Sequence, residues 1–171
     1  MPPDGNCLFR SLADGLVGNP HDHLRYRTEV VNHMRDHSEE FSNFICDGDD
    51  ETFDNLLFDM AGPGNWAGNE AIYAFSRLYN LTTYVHQDQT PPFVIHGGEG
   101  GQPGAQEIHV AFRNRNHYDS IRKWGDVSTS AANLRLRINP DVGLLEPWSQ
   151  DPRSQAMNTE SVPSERLQVG C

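Results

Sequence analysis

Apolar and polar positions change period once along this chain, near residue 80, and the change divides the elements they predict. Before it the repeat is helical. Residues 7–17 (CLFRSLADGLV) place Leu8, Leu12 and Leu16 at i, i+4 and i+8, an amphipathic helix that Gly18-Asn19-Pro20 stops. The next helix is predicted over 21–37, with Leu24, Thr28, Val31 and Met34 on its inner face. A shorter one lies near 50–60, where Phe53, Leu56, Leu57 and Met60 fall at i, i+3, i+4 and i+7 and Asp49 or Asp50 can cap the start. Ala61-Gly62-Pro63-Gly64 breaks the chain, and a fourth helix over 69–79 buries Ile72, Phe75 and Leu78 or Tyr79.

Beyond Asn80 the period is two. Leu81, Thr83 and Val85 alternate with Thr82, Tyr84 and His86, which predicts a strand, and Phe93-Val94-Ile95 is a second short one. A Gly/Pro/Gln-rich loop covers 97–104. In 107–112, Ile108, Val110 and Phe112 share one face while His109 points the other way. A further strand begins at His117-Tyr118-Asp119-Ser120-Ile121. Residues 126–171 are rich in Ser, Pro, Asn and Gln and are expected to be a mostly disordered tail, in which Leu134, Leu136 and Ile138 could add one strand. The expected organisation is a catalytic domain over 1–125 and the tail over 126–171, in an α/β fold with a small mixed sheet flanked by helices.

Composition narrows the function. The chain of 171 residues carries 24 acidic against 13 basic side chains, a formal net charge of −11. Such a chain repels phosphate backbones, so nucleic acid is not the expected partner, and a basic protein surface is the better match. No run approaches the roughly 20 apolar residues of a membrane span, and the N-terminus does not read as a signal peptide. Cys7, Cys46 and Cys171 are an odd, widely spaced set without C-x-x-C spacing. They read as free thiols in a reducing compartment, so a cytoplasmic and also nuclear location is expected, with no zinc ribbon and no redox pair.

One thiol can be the chemistry. Asp4-Gly5-Asn6-Cys7 stands directly before the first helix, where the positive end of the macrodipole favours thiolate. Gly5 lets the backbone bend so that several N–H groups face one point and can bind an oxyanion. The alternative is a small buried Cys7 with Asp4 or Asn6 capping the helix, and for an isolated cysteine that reading is the commoner. Eight histidines compete as its base. His21, His23, His33 and His37 lie on or beside a polar helix, where exposure is the default. His33 and His37 at i, i+4 have no H-E-x-x-H context and no third ligand, and read as a solvated face. His86 and His96 end strands, and His109 is mid-strand, packed with a satisfied ring. His117 differs: Asp119 follows at i+2, on the same face of an extended chain, where a carboxylate can accept the imidazole N–H. Cys, His and Asp complete a nucleophile, base and orienter. Taken alone, His-x-Asp is a weak motif.

Together the pieces resemble a family. Asp4-Gly5-Asn6-Cys7-Leu8-Phe9-Arg10 is similar to the D-G-N-C-L-F-R block at the nucleophile of OTU-type deubiquitinases. Gly64-Asn65-Trp66-Ala67-Gly68-Asn69-Glu70-Ala71-Ile72 resembles a second block of that family, and Ile108-His109-Val110-Ala111-Phe112 with His117-Tyr118-Asp119-Ser120 a third. Three blocks in order over 4–122 are specific where each alone is not. The region around 21–37 and the fourth helix look most like the OTU domain-containing protein 3 subfamily. The resemblance implies an OTU-type cysteine protease fold and hydrolysis of isopeptide bonds at the ubiquitin C-terminus, with ubiquitin, polyubiquitin or ubiquitinated proteins as partners. It implies Cys7 as nucleophile, His117 as base and Asp119 as orienter. Asp4, also treated as an active-site residue there, is expected to hold the Cys7 loop and help shape the oxyanion site; Asn65, Trp66 and Gly68 are expected in a loop flanking the site. For Trp66 a turn with one buried indole is the equal alternative. No metal or organic cofactor is expected, and a monomer is. The second reading is a catalytically impaired, ubiquitin-binding OTU-like module, and the third an unrelated papain-like peptidase. Members of the family carry a helix or strand before the nucleophile block, whereas Met1-Pro2-Pro3 precedes it here, so the domain is expected to lack its N-terminal segment.

Overall fold

The first helix, α1 (Cys7–Val17), is buried on nearly every side, and the other elements are arranged around it. The computed structural model describes residues 1–44 and 52–138, together with short strands at 145–147 and 167–169. Leu8, Leu12 and Phe9 of α1 are buried, but so are Ser11, Ala13, Asp14 and Gly15, because the helix is covered by sheet on one side and by α2 (His23–Asp36) on another. That burial is wider than the Leu8-Leu12-Leu16 stripe; Leu16 itself is only half-buried.

On α2 the predicted inner face holds at Val31 and Met34 and fails at Leu24 and Thr28. Leu24 and Thr28 are exposed, whereas His23, Tyr26, Arg27, Val30, Val31 and Met34 are buried. The stripe rotates because Tyr26 packs edge-on against Phe75 and Tyr79 and Arg27 is drawn inward by hydrogen bonds. Residues 20–22 form a 3-10 turn before this helix, and a short α3 (Ser38–Phe41) follows it. In α4 (Phe53–Ala61) Leu57 and Met60 are buried, and the N-cap is Thr52, whose side chain accepts from the Asn55 N–H. The predicted caps Asp49 and Asp50 lie outside the described residues, as do Cys46 and Cys171. α5 (Asn69–Tyr79) buries Ile72 and Phe75 as predicted.

The main sheet orders its strands Thr90–His96, Leu81–Gln87, Gln106–Arg113, His117–Lys123 and Leu167–Val169. It is mixed: β1 (Leu81–Gln87) runs parallel to β3 (Gln106–Arg113) and antiparallel to β2 (Thr90–His96), and β3 runs antiparallel to β4 (His117–Lys123). Helix α1 lies on β4 and β3, and α5 on β1 and β2. The side chains of Thr83, Val85, Ile108 and Val110 face these helices, and the Thr83 hydroxyl bonds that of Ser76 on α5 at 2.8 Å. On the opposite face His109 is buried, stacks on Tyr84 with ring centroids 4.6 Å apart, and shares a proton position with His86 at 3.0 Å. Burial pushes His109 down to about 3 and His86 to about 4, so both are neutral at ordinary pH. Among the described residues the His109 Nε2 has no hydrogen-bond partner of good geometry: it stands 3.8 Å from Glu107 Oε2, while the main chain of Leu134 interacts with the ring.

The packed region runs past residue 125. Leu134 is buried, the Ala132 N–H donates to the Gly15 carbonyl at 3.1 Å, and Ser130 O accepts from Arg122 at 2.9 Å. Apolar spacing alone could not reveal this, because most of the segment is held by backbone groups. Leu136–Ile138 (β5) forms the anticipated strand, paired with β6 (Leu145–Pro147) in a separate ribbon, while β7 (Leu167–Val169) joins β4. Among the described residues no helix is long and apolar enough to cross a membrane.

Candidate active site

Cys7 is the first residue of α1 and is 3% exposed. The Asn6 carbonyl accepts the helix's first bond from the Arg10 N–H at 2.9 Å. In a trans peptide the N–H lies opposite the carbonyl, so the Cys7 N–H points out of the helix end. His117 opens β4, immediately after a three-residue turn in which Asn114 and Arg115 adopt left-handed backbone. Cys7 and His117 line one open pocket of about 370 Å³, with Met1, Pro3, Gly5, Trp66, Asn114 and Asn116. Among the described residues no hydrogen bond joins the thiol to the imidazole, the looser arrangement common before a substrate tightens such a pair.

Asp119 is 2% exposed, and its Oδ1 lies 3.1 Å from His117 Nε2, as the i, i+2 spacing predicts. Two further groups hold it: the Met1 amino group at 2.5 Å from Oδ1 and Arg113 of β3, 3.2 Å from Oδ2. Between His117 and Asp119 the Tyr118 ring turns to the core, 4.7 Å from Phe112, and burial raises its phenol.

Neither Asp4 nor Asn6 caps the helix by its side chain. Asp4 Oδ1 accepts from the Asn6 N–H at 3.0 Å and Oδ2 from Arg10 at 2.8 Å. The Arg10 guanidinium, with the Asn6 N–H, holds the Asp4 carboxyl down to about 2. Asp4 thus braces the loop and does not line the pocket. The Asn6 N–H is spent on that brace and is not available to an oxyanion, whereas the Cys7 N–H points out of the helix end. The side chain of Asn6 instead accepts from the Gly64 N–H at 2.9 Å and from Arg27 at 3.2 Å.

The 62–68 loop forms the opposite wall. Trp66 is 51% exposed and lines the pocket, so its indole is not the buried anchor of a turn. Asn65 turns away from the pocket: its side chain donates to Asp59 O at 2.7 Å, at the end of α4. Gly68 precedes α5, its N–H donating to Glu70 at 2.7 Å. The periodicity missed three residues here, Arg10, Arg113 and above all Arg27. Arg27 left a legible signal: it lies at i−4, i−3 and i−7 from Val31, Val30 and Met34, a charge on an apolar stripe.

The other histidines stay apart from this site. His23 is not exposed as expected but buried, with Nδ1 3.1 Å from Pro20 O and 3.3 Å from Arg10, and burial lowers it, as does the Arg10 charge. The rings of His33 and His37 meet at a tilt of 45°, with centroids 4.3 Å apart. Among the described residues no three His, Cys, Asp or Glu side chains converge as a metal site.

Residues 2–118 match the family model of the OTU-like cysteine proteases. Mouse OTU domain-containing protein 3 is 40% identical over 134 residues, 78% of this chain and 33% of that protein. The Arabidopsis thaliana OVARIAN TUMOR DOMAIN-containing deubiquitinating enzyme 7 is 33% identical over 156 residues, 91% of this chain and 40% of that protein. The chain therefore spans well under half the length of either relative. Among solved structures, the viral OTU domain protease of Taggert virus superposes with a TM-score of 0.60 at 25% identity, over 75% of this chain and 80% of that one. The Hazara virus OTU bound to ubiquitin shares the fold, with a TM-score of 0.53 at 19% identity over 71% and 77% of the two chains.

Proposed function

This chain belongs to the OTU-like cysteine protease family, and on that premise we propose that it is a deubiquitinase, a thiol-dependent hydrolase of isopeptide bonds at the ubiquitin C-terminus. The observation that carries the reading is the convergence of Cys7 and His117 on one open pocket, with Asp119 bonded to the imidazole. Relatives described as deubiquitinating enzymes supply the substrate class.

With Nε2 of His117 turned to Asp119, Nδ1 is the nitrogen that exchanges a proton with the thiol. Cys7 sulfur attacks the carbonyl carbon of ubiquitin's terminal glycine as its proton passes to His117. The tetrahedral oxyanion is met by the outward N–H groups of the Cys7 loop. His117 then protonates the departing lysine nitrogen, the C–N bond breaks, and a thioester remains. Water, deprotonated by His117, attacks that thioester; the ubiquitin carboxylate leaves and the thiol is restored. Asp119 stabilises the imidazolium at each stage.

An electrophilic probe on the ubiquitin C-terminus tests this. The expected result is one covalent adduct with the intact chain, lost in Cys7→Ala, and cleavage within a di-ubiquitin panel. An adduct that survives Cys7→Ala overturns the assignment of the nucleophile. No adduct and no cleavage would favour a ubiquitin-binding module without turnover, and cleavage of short peptides lacking ubiquitin would favour a general peptidase.

A further inference from the structure

Arg27 is the largest fully buried side chain among the described residues, and it carries a charge. Its acceptors do not match that charge. Nη1 donates to the Met60 carbonyl at 2.6 Å; Nη2 donates to the Gly5 carbonyl at 2.9 Å, the Asn65 carbonyl at 2.8 Å and the Asn6 amide oxygen at 3.2 Å. All four are neutral. Its Nε–H has no acceptor among the described residues, and its guanidinium lies 4.5 Å over the Phe9 ring. Burying a cation on neutral oxygens is expensive, and the fork offsets that cost only by satisfying oxygens that would otherwise lack this donor. The use of the fork lies in which oxygens it ties together.

The acceptors show what it is. Gly5 and Asn6 are the two residues before the nucleophile, while Met60 and Asn65 bracket the turn that leads to Trp66. One guanidinium thus holds both walls of the pocket. The Gly5 carbonyl bonds Arg27 while the N–H of the same peptide bonds Asp4, so that peptide is fixed at both ends. The Asn6 side chain is pinned to Arg27 and to the Gly64 N–H, and the Asn6 carbonyl to Arg10. These bonds set the direction of the Cys7 N–H. Arg27 is also near enough to Asp4, and more weakly to Cys7, for their charges to interact.

We propose that Arg27 is the positioning residue of the oxyanion pocket, locking the Gly5-Asn6-Cys7 backbone against the Gly62–Trp66 loop so that the Cys7 N–H is aimed before a substrate arrives. Its charge, matched by no carboxylate in contact, adds to the field that meets the developing oxyanion. It touches no reacting atom. The inference rests on Cys7 being an acyl-accepting nucleophile.

Two reagents separate positioning from plain structure. Acetylation of Cys7 by p-nitrophenyl acetate passes through a tetrahedral oxyanion; alkylation by iodoacetamide does not. In Arg27→Lys, which keeps the charge and loses the fork, acetylation is expected to slow about 100-fold. Alkylation should stay within about threefold of wild type, and kcat for a ubiquitin C-terminal amide should fall with acetylation while KM changes less than about threefold. Arg27→Gln, lacking the charge as well, should acetylate more slowly still. Unchanged acetylation overturns the proposal. So does a parallel loss of alkylation, or the failure of both variants to melt cooperatively, since either makes Arg27 an ordinary structural residue. A wild-type chain that cleaves no ubiquitin substrate, yet shows the selective loss of acetylation, would sink the deubiquitinase reading and leave this one standing.

Discussion

The two ends of α1 are built alike and used differently. At each end a glycine in left-handed backbone meets the backbone of a distant segment: Gly5 (φ +75) against the Gly64 carbonyl, and Gly18 (φ +76) against Ser130. At each end an arginine from another element ties the junction. At the C-terminal end Arg122 of β4 meets the Asp14 carboxylate at 2.8 and 3.0 Å, the Asp14 carbonyl at 2.9 Å and Ser130 O at 2.9 Å. Hydrogen bonding to Asp14 raises Arg122 further. At the N-terminal end Arg27 meets neutral oxygens only. One junction is a neutralised ion pair closed over by residues 126–134; the other holds, beside an open pocket, a charge with no carboxylate hydrogen-bonded to it among the described residues and only the more distant Asp4 to attract it. At the closed end the arginine is bonded to a carboxylate; at the open end it is bonded to carbonyl oxygens that tie two loops together.

Removing each side's device should separate the two roles, and the largest change falls at the closed end. Arg122→Ala leaves the buried Asp14 carboxylate unpaired and is expected to cost about 3 to 5 kcal/mol in urea unfolding. Adding Asp14→Asn should recover part of that, and ubiquitin-amide turnover per folded molecule should not move. Equal loss of turnover and stability would break the distinction between the ends.

The glycines give a smaller, sharper contrast. A Cβ at Gly5 would lie 1.6 Å from Gly64 O, and one at Gly18 2.3 Å from Ser130 O. Both alanine variants are expected to lose about 1 to 3 kcal/mol or more from strain. Only Gly5→Ala should also lower kcat at constant KM, because only there does the displaced backbone carry oxyanion donors. Matching kinetic effects at the two positions would argue that α1 transmits strain along its length.

The smallest effect is electrostatic. The Asp4 carboxyl, held at about 2 against an ordinary 3.8, contributes stability that is present above about pH 4 and lost as the pH falls through about 2. Its side chain is 40% exposed, so screening keeps the contribution below about 1 kcal/mol. Melting curves between pH 5 and 2 should show a slightly shallower acid decline in Asp4→Asn. A change larger than that of Gly18→Ala would mean that the brace on Asn6 matters more than the closed end of the helix.

Much of this molecule was legible before its fold. The period change near residue 80 marks the passage from helices to sheet, and the i, i+2 spacing of His117 and Asp119 places them on one face of β4, since strand geometry is local. The motif around Cys7 reads correctly for the same reason: a helix begins there because Gly5 and Asn6 cannot continue one backward. The inner face of α2 was legible only at Val31 and Met34, because Leu24 is as apolar as Val30 and the packing of Tyr26 and Arg27 decides the rotation. The docking of 126–134, which rests on the Arg122 guanidinium and main-chain bonds that leave no hydrophobic pattern, was not legible.

The sequence by itself determined the candidate nucleophile, base and orienter, the elements that carry them and the family to which they belong. Those properties follow from residue type, from short-range spacing and from the resemblance of three ordered blocks to the family. Only the tertiary structure decided that Cys7 and His117, more than a hundred residues apart, open on one pocket. It alone revealed that the Asn6 N–H is spent on Asp4, that Trp66 stands half in solvent, and that one buried arginine binds both walls. The last of these rests on hydrogen bonds to main-chain oxygen, and every residue supplies such an oxygen, so no residue pattern announces which ones an arginine will choose.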